Sequence, residues 1–216
     1  MPAPLLAALN FTGGFFTING YDTDSGVTGA SSSSSVLVPR LIAKIPVSVS
    51  ISFVSNTNLN NGTTPRSVVT DGTKFWSAGA GTSGTAGGIQ YVLPDGTNSP
   101  ISLAPDTFNI RHIGVYNGDL YYSTAGGGLN GLHKYTGLPT VATNSTQVVA
   151  TGTAPASSPY DFAFSDASTV YITDDRTLAN GGGILKYTFD GSVWNYQYTI
   201  NTALGTGCRA IAHLGG

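Results

Sequence analysis

Short runs of apolar, β-branched and aromatic residues alternate along the whole chain with clusters of Gly, Ser, Asn and Asp. No window of about a dozen residues places apolar positions at i, i+3, i+4 and i+7 free of Gly or Pro, so the pattern predicts no long helix. It predicts short strands joined by tight turns. The pattern also repeats. Leu6–Gly13, Arg66–Gly72, Arg111–Gly118 and Tyr160–Ala167 each read as an apolar strand ending in a turn. A second, aromatic strand follows at Phe15–Ile18, Lys74–Ser77, Leu120–Ser123 and Val170–Thr173. Beyond a Gly- or Ser-rich loop come third strands at Leu41–Ile45, Gly88–Val92, Gly131–Tyr135 and Gly183–Tyr187. Fourth strands follow at Val49–Phe53, Ser99–Leu103, Gln147–Ala150 and Asn195–Ile200. The pairs Asp71-Gly72 and Asn117-Gly118 predict two-residue hairpins, because both central residues of a type I′ turn need positive φ.

The repeating unit is four antiparallel strands in roughly 45–55 residues, the size and content of a β-propeller blade. The predicted fold class is therefore all-β, a propeller with blades over residues 5–55, 65–104, 110–151 and 159–203. Residues 208–216 repeat the Arg66–Gly72 pattern and read as the first strand of a further blade. Four and a quarter blades make a partial ring. The expected partners are other copies of the chain, or the rest of a longer precursor, completing it. Blade faces left uncovered would be exposed apolar surface.

Composition narrows the function. The chain carries 9 Lys and Arg against 11 Asp and Glu, a net charge of -2. That gives no cationic footprint for a nucleic acid, and no apolar run is long enough to span a bilayer as a helix. With 11 Tyr, 9 Phe and 2 Trp the sequence is not that of a disordered chain. A surface rich in Ser, Thr, Asn and Gly fits an extracellular or cell-surface location. Three acceptor sequons, at Asn10, Asn61 and Asn144, point the same way. The first nine residues lack the basic and apolar regions of a signal peptide. The single cysteine, Cys208, forms no internal disulfide and reads as a buried, inert thiol.

Several segments carry a likeness to known proteins: Phe16–Asp22, Val38-Pro39-Arg40, Arg66–Trp76, Gly87–Val92 and Asn109-Ile110-Arg111. Over nearly its whole length the chain resembles a group of secreted, Gly/Ser/Thr-rich proteins with seven-bladed-like propellers. In that group comparable sequence continues on both sides. The resemblance implies a propeller fold and export, and no catalytic residues.

Candidate chemistry concentrates where innermost strands begin, because loops at one face of a propeller usually hold the ligand. Three of these strands begin with Arg66, Arg111 and Arg209, and Asp161 reads as the matching residue of the fourth blade. Converging guanidiniums can hold a carboxylate, sulfate or acidic sugar bidentately. The competing reading ties each arginine to carbonyls of the adjacent blade. No cofactor is expected. Calcium, the alternative, would rest on Asp22 and Asp24 or on Asp174-Asp175, runs without the spacing of a calcium loop. His112, His133 and His213 lie on strands of different blades, with no spacing that forces a metal site. Ser-His-Asp pairings cannot be picked from so Ser-rich a chain, and no Gly-x-Ser-x-Gly elbow is present. Trp76, Tyr116 and Tyr160 are candidates for a sugar-stacking platform, against the alternative of inter-blade core. The residues favour an extracellular structural, adhesive or glycan-binding module without catalytic activity. The alternative is a propeller hydrolase or lyase with its site at the channel mouth.

Overall fold

The computed structural model describes residues 10–12, 14–47, 50–81, 87–96, 101–103, 109–126, 128–152, 157–202 and 204–213. Among the described residues, sixteen strands form four separate four-stranded antiparallel sheets, each a simple meander. Blade 1 holds β1 (Asn10–Thr12), β2 (Phe15–Tyr21), β3 (Arg40–Pro46) and β4 (Ser52–Asn56). Blade 2 holds β5 (Pro65–Thr70), β6 (Phe75–Gly79), β7 (Gly88–Val92) and β8 (Ile101–Ser102). Blade 3 holds β9 (Ile110–Tyr116), β10 (Asp119–Thr124), β11 (Gly131–Tyr135) and β12 (Thr146–Ala150). Blade 4 holds β13 (Pro159–Asp166), β14 (Thr169–Asp174), β15 (Gly183–Phe189) and β16 (Trp194–Ile200). The only helical elements among the described residues are single 3₁₀ turns at Ala30–Ser32 and Leu178–Asn180.

Successive blades pack face to face, β2 against β5, β5 against β9 and β9 against β13. The side-chain period of two divides each blade between its neighbours. One buried cluster joins Ile42 and Val54 of blade 1 to Val68, Phe75 and Val92 of blade 2. A second joins Val69, Trp76 and Ile89 of blade 2 to Ile113, Leu120 and Tyr122 of blade 3. The third joins Leu132 and Val149 of blade 3 to Phe162, Val170, Ile172 and Leu185 of blade 4. The hydrophobic core is therefore three layers between four blades rather than one central mass.

Turn chemistry differs between repeats. Asn117 and Gly118 both have positive φ, 49° and 80°, and β9 and β10 close on the two-residue turn the sequence predicts. At Asp71-Gly72 only Gly72 is left-handed. The Asp71 carboxylate accepts from Thr73 N and Lys74 N and builds a four-residue turn between Thr70 and Phe75. Asp190 does the same with Ser192 N and Val193 N. An aspartate side chain that mimics a backbone acceptor selects the longer turn. Gly131 and Gly183, which open equivalent third strands, sit at φ 150° and 138°. A Cβ there would collide with the carbonyls of Val149 and Ile200 on the fourth strand.

Residues 204–213 carry no assigned strand. They nonetheless lie where a next inner strand would begin. Ile211 N donates to Asp161 Oδ2 at 3.1 Å, the bond that Ile113 N makes to Ser67 Oγ two interfaces earlier. Cys208 is half-exposed rather than buried, because it lies in this segment and not in a sheet.

Candidate functional site

Each complete inner strand has an irregularity at the same end. In blade 2 the register shifts between Pro65 and Ser67, leaving Arg66 unpaired. In blade 3 Ser123 pairs with His112 and Thr124 with Ile110, leaving Arg111 out. In blade 4 the shift falls between Pro159 and Phe162, around Tyr160 and Asp161. Such bulges re-aim a side chain out of the ladder. Here three of them throw Arg66, Arg111 and Tyr160 toward one another.

The Arg111 guanidinium lies 5.0 Å from the Tyr160 ring centroid, and that of Arg209 lies 5.6 Å from the same ring. Arg209 also pairs with Asp175 at 3.1 Å. Arg66 Nη1 donates to Asn109 Oδ1 at 2.7 Å and to Ile110 O at 3.1 Å. Arg66 thus makes the carbonyl tie of the competing reading, yet it still feels Arg111. Burial and the like charge of Arg111 push it down to about 10, against the pull of Tyr160 and Asp175. It remains charged at neutral pH. Arg111 Nε is buried with no hydrogen-bond partner. The cluster holds three cations and one facing carboxylate.

One register further along the same strands stands a second row. Asp161 belongs to this row, beside Ser67 and His112, and Tyr160 takes the place beside Arg66 and Arg111 that Asp161 has in the sequence reading. His112 Nε2 lies 3.3 Å from Asp161 Oδ1, and each side chain is 11% exposed. On the other side of the ring, His112 Nδ1 lies 3.5 Å from Ser67 Oγ. Ser67 is fully buried. The Asp161 carboxylate is fixed further by Phe162 N at 2.7 Å and by Ile211 N. Burial holds the His112 imidazole below its ordinary value, and Asp161 opposes that in part. The imidazole is therefore neutral at pH 7 and able to take a proton. From below, Ser123 Oγ donates to the Tyr160 carbonyl.

The remaining candidates lie apart. His133 is buried, stacked on Tyr122 at 4.9 Å, with Nε2 bonded to Leu129 O. His213 is exposed near the end of the described segment. Among the described residues no three His, Cys, Asp or Glu side chains are grouped to hold a metal. Asp22 accepts from Ser55 Oγ, and Asp174 is buried against Arg176 Nε at 2.8 Å. Trp76 is 1% exposed and belongs to the core between blades 2 and 3. Tyr116 stacks on Phe164 of blade 4 at 4.2 Å. Only Tyr160 of the three aromatic candidates reaches the arginines. Asn61 and Asn144 are exposed, and the Asn10 side chain lies outside the described residues. Sequence reasoning passed over Ser67, and it placed Asp175 in a candidate calcium run, where the structure pairs it with Arg209. The signal for Ser67 was its place directly after Arg66, parallel to Arg111-His112.

No family model matches the chain, and no curated protein matches it by sequence. Among solved structures it is similar to a protein of Bacteroides uniformis provisionally named a 6-phosphogluconolactonase, with a TM-score of 0.51 and 12% identity. The match covers 93% of this chain and 57% of that one, so the chain spans little more than half the length of the structure it matches. At this identity the likeness shows the fold. The main functional expectation, a module without catalytic activity, is corrected by it: the shared architecture is that of a protein provisionally named a 6-phosphogluconolactonase.

Proposed function

We propose that the chain forms part of a propeller hydrolase that opens an ester or lactone bearing an anionic group, with its site at the mouth end of the inner strands. The observation that carries this reading is the repeated bulge, which gathers Arg66, Arg111 and Tyr160 over the Ser67–His112–Asp161 row. The arginines Arg66, Arg111 and Arg209 hold the anion and stabilise the oxyanion formed at the carbonyl, where charged donors act most strongly. The His112–Asp161 pair, each side chain 11% exposed, takes the proton of the attacking water. Ser67, closed off from solvent, holds the ring from the other side.

The test is hydrolysis, followed by proton release, of matched ester and lactone pairs that differ only in a carboxylate or phosphate substituent. Turnover is expected for the anionic members. The Arg66→Ala, Arg111→Ala double variant is expected to lose kcat/KM on the anionic member and to change little on its neutral twin. Equal losses on both would show that the arginines do not read the charge, and no turnover of any member would overturn the proposal. The pH profile is a further check. A neutral base with a depressed value gives activity that is full at pH 7 and lost on the acid side, below the ordinary histidine value of about 6.5. Activity that instead rises only above pH 8 would exclude His112 as the base.

A further inference from the structure

Three inner strands are entered through the same backbone tie. Ala80 N donates to Thr64 O in blade 2 at 3.0 Å, Ala125 N to Asn109 O in blade 3 at 3.4 Å, and Asp175 N to Ser158 O in blade 4 at 3.1 Å. Of the three acceptors only Asn109 has a left-handed backbone, at φ 58°. The tie therefore forms without that conformation. Asn enters the left-handed region more readily than most residues. A sparsely populated conformation, kept where two equivalent positions do without it, points to a local use.

The use lies in the side chain, which bridges two blades. Asn109 Oδ1 accepts from Arg66 Nη1 of blade 2 at 2.7 Å, and Asn109 Nδ2 donates to Ala125 O of its own blade at 2.9 Å. These two partners fix which end of the amide faces the arginine, since a guanidinium can only donate and a carbonyl can only accept. The next carbonyl, Ile110 O, takes a second bond from the same Nη1 at 3.1 Å. Asn109 also stands directly before the bulge that leaves Arg111 out of the ladder. One residue thus holds Arg66 and opens the strand that presents Arg111.

Asn109 does this without spending their charge. The ion pairs among the described residues are His112–Asp161, Lys134–Asp119, Arg176–Asp174 and Arg209–Asp175. Arg209 has its carboxylate, whereas Arg66 and Arg111 have none. A carboxylate at position 109 would hold Arg66 as firmly and would also cancel it. The neutral amide leaves two like charges together, a pairing that an entering anion relieves.

We infer that Asn109 is a positioning residue for anion recognition: it aims Arg66 beside Arg111 through a neutral acceptor and leaves the counter-charge to be supplied by the ligand. The inference rests on the reading that these arginines hold the anionic group of the substrate.

The experiment compares the native chain with Asn109→Asp and Asn109→Gly in two measurements. One is hydrolysis of the matched anionic and neutral pairs, and the other is calorimetric titration with inorganic sulfate. Glycine keeps the left-handed backbone at no steric cost and deletes only the amide. Asn109→Asp is expected to lower kcat/KM on the anionic member and to weaken sulfate binding, each about 10–100-fold, the span of one charged hydrogen bond. The neutral twin is expected to change little. Asn109→Gly is expected to lose part of the preference, because Arg66 stays charged but is no longer aimed. A cooperative thermal transition checks that each variant is folded. If the native chain turns over the anionic members and Asn109→Asp keeps the native preference, the role of Asn109 is overturned and the hydrolase reading stands. A glycine variant with native preference would overturn it too, by leaving Ile110 O as the sole guide of Arg66. If the native chain binds sulfate, loses it with Asn109→Asp and hydrolyses no member, the hydrolase reading falls and the role of Asn109 stands. A native chain that neither binds sulfate nor prefers anionic members would overturn both.

Discussion

Replacing His112 by Ala is expected to lower hydrolysis about 10²–10⁴-fold, the share that a positioned acid–base group contributes. Four facts set the size of this effect. The imidazole is buried and neutral at pH 7. It is 3.3 Å from a carboxylate that two backbone amides hold in place. It stands one register from the guanidinium cluster, and His133 lies apart from that row, locked against Tyr122. Ser67→Ala provides the contrast. If Ser67 only holds the ring, its loss leaves most of the rate. A Ser67→Ala loss as large as that of His112→Ala would make the serine hydroxyl the nucleophile and replace the water mechanism. A His112→Ala enzyme of unchanged rate, folded by its thermal transition, would remove the base from this row altogether.

The largest expected effect on stability comes from Trp76→Ala, about 3–5 kcal/mol as for other buried Trp truncations. Trp76 is 1% exposed, packs on Tyr91 at a centroid distance of 5.8 Å, and sits in the layer between blades 2 and 3. Its Nε1 donates at 2.6 Å to Pro139 O, in the loop between β11 and β12. One side chain thus ties two blades by both packing and a hydrogen bond. For a chain of this length the loss corresponds to a fall in Tm of roughly 6–20 °C. Trp76→Phe keeps much of the packing and forfeits mainly the hydrogen bond, about 0.5–1.5 kcal/mol. Calorimetry of the two variants reads both quantities. A Trp76→Ala transition within about 2 °C of the native one would mean that the layer between these blades contributes little.

Much of the fold was legible because its determinants are local. Strand period, turn residues and repeat length all act over a few residues, and they placed the sixteen strands to within a few positions. The hairpin at Asn117-Gly118 followed from two adjacent residues that tolerate positive φ. The one at Asp71-Gly72 did not, because the Asp71 side chain competed for the same amides. The arginines were legible too, as cations rare in this chain and placed at repeating positions. Their bulges were not. A bulge is a mismatch in count between two strands, and neither strand reveals it alone.

The sequence by itself determined the architecture: short apolar and aromatic strands, tight turns and a period of one blade, fixed by interactions between near neighbours. It also determined that Arg66 and Arg111 occupy the same place in successive units. Only the tertiary structure decided that Ser67, His112 and Asp161 form a row, since they lie on three different sheets and meet through contacts between blades. It moved Asp161 one register from its expected place and put Tyr160 beneath the arginines. It also decided which face of each strand is core, because in a stack of blades both faces are apolar and only the presence of a neighbour distinguishes a buried Leu132 from a half-exposed Ile184.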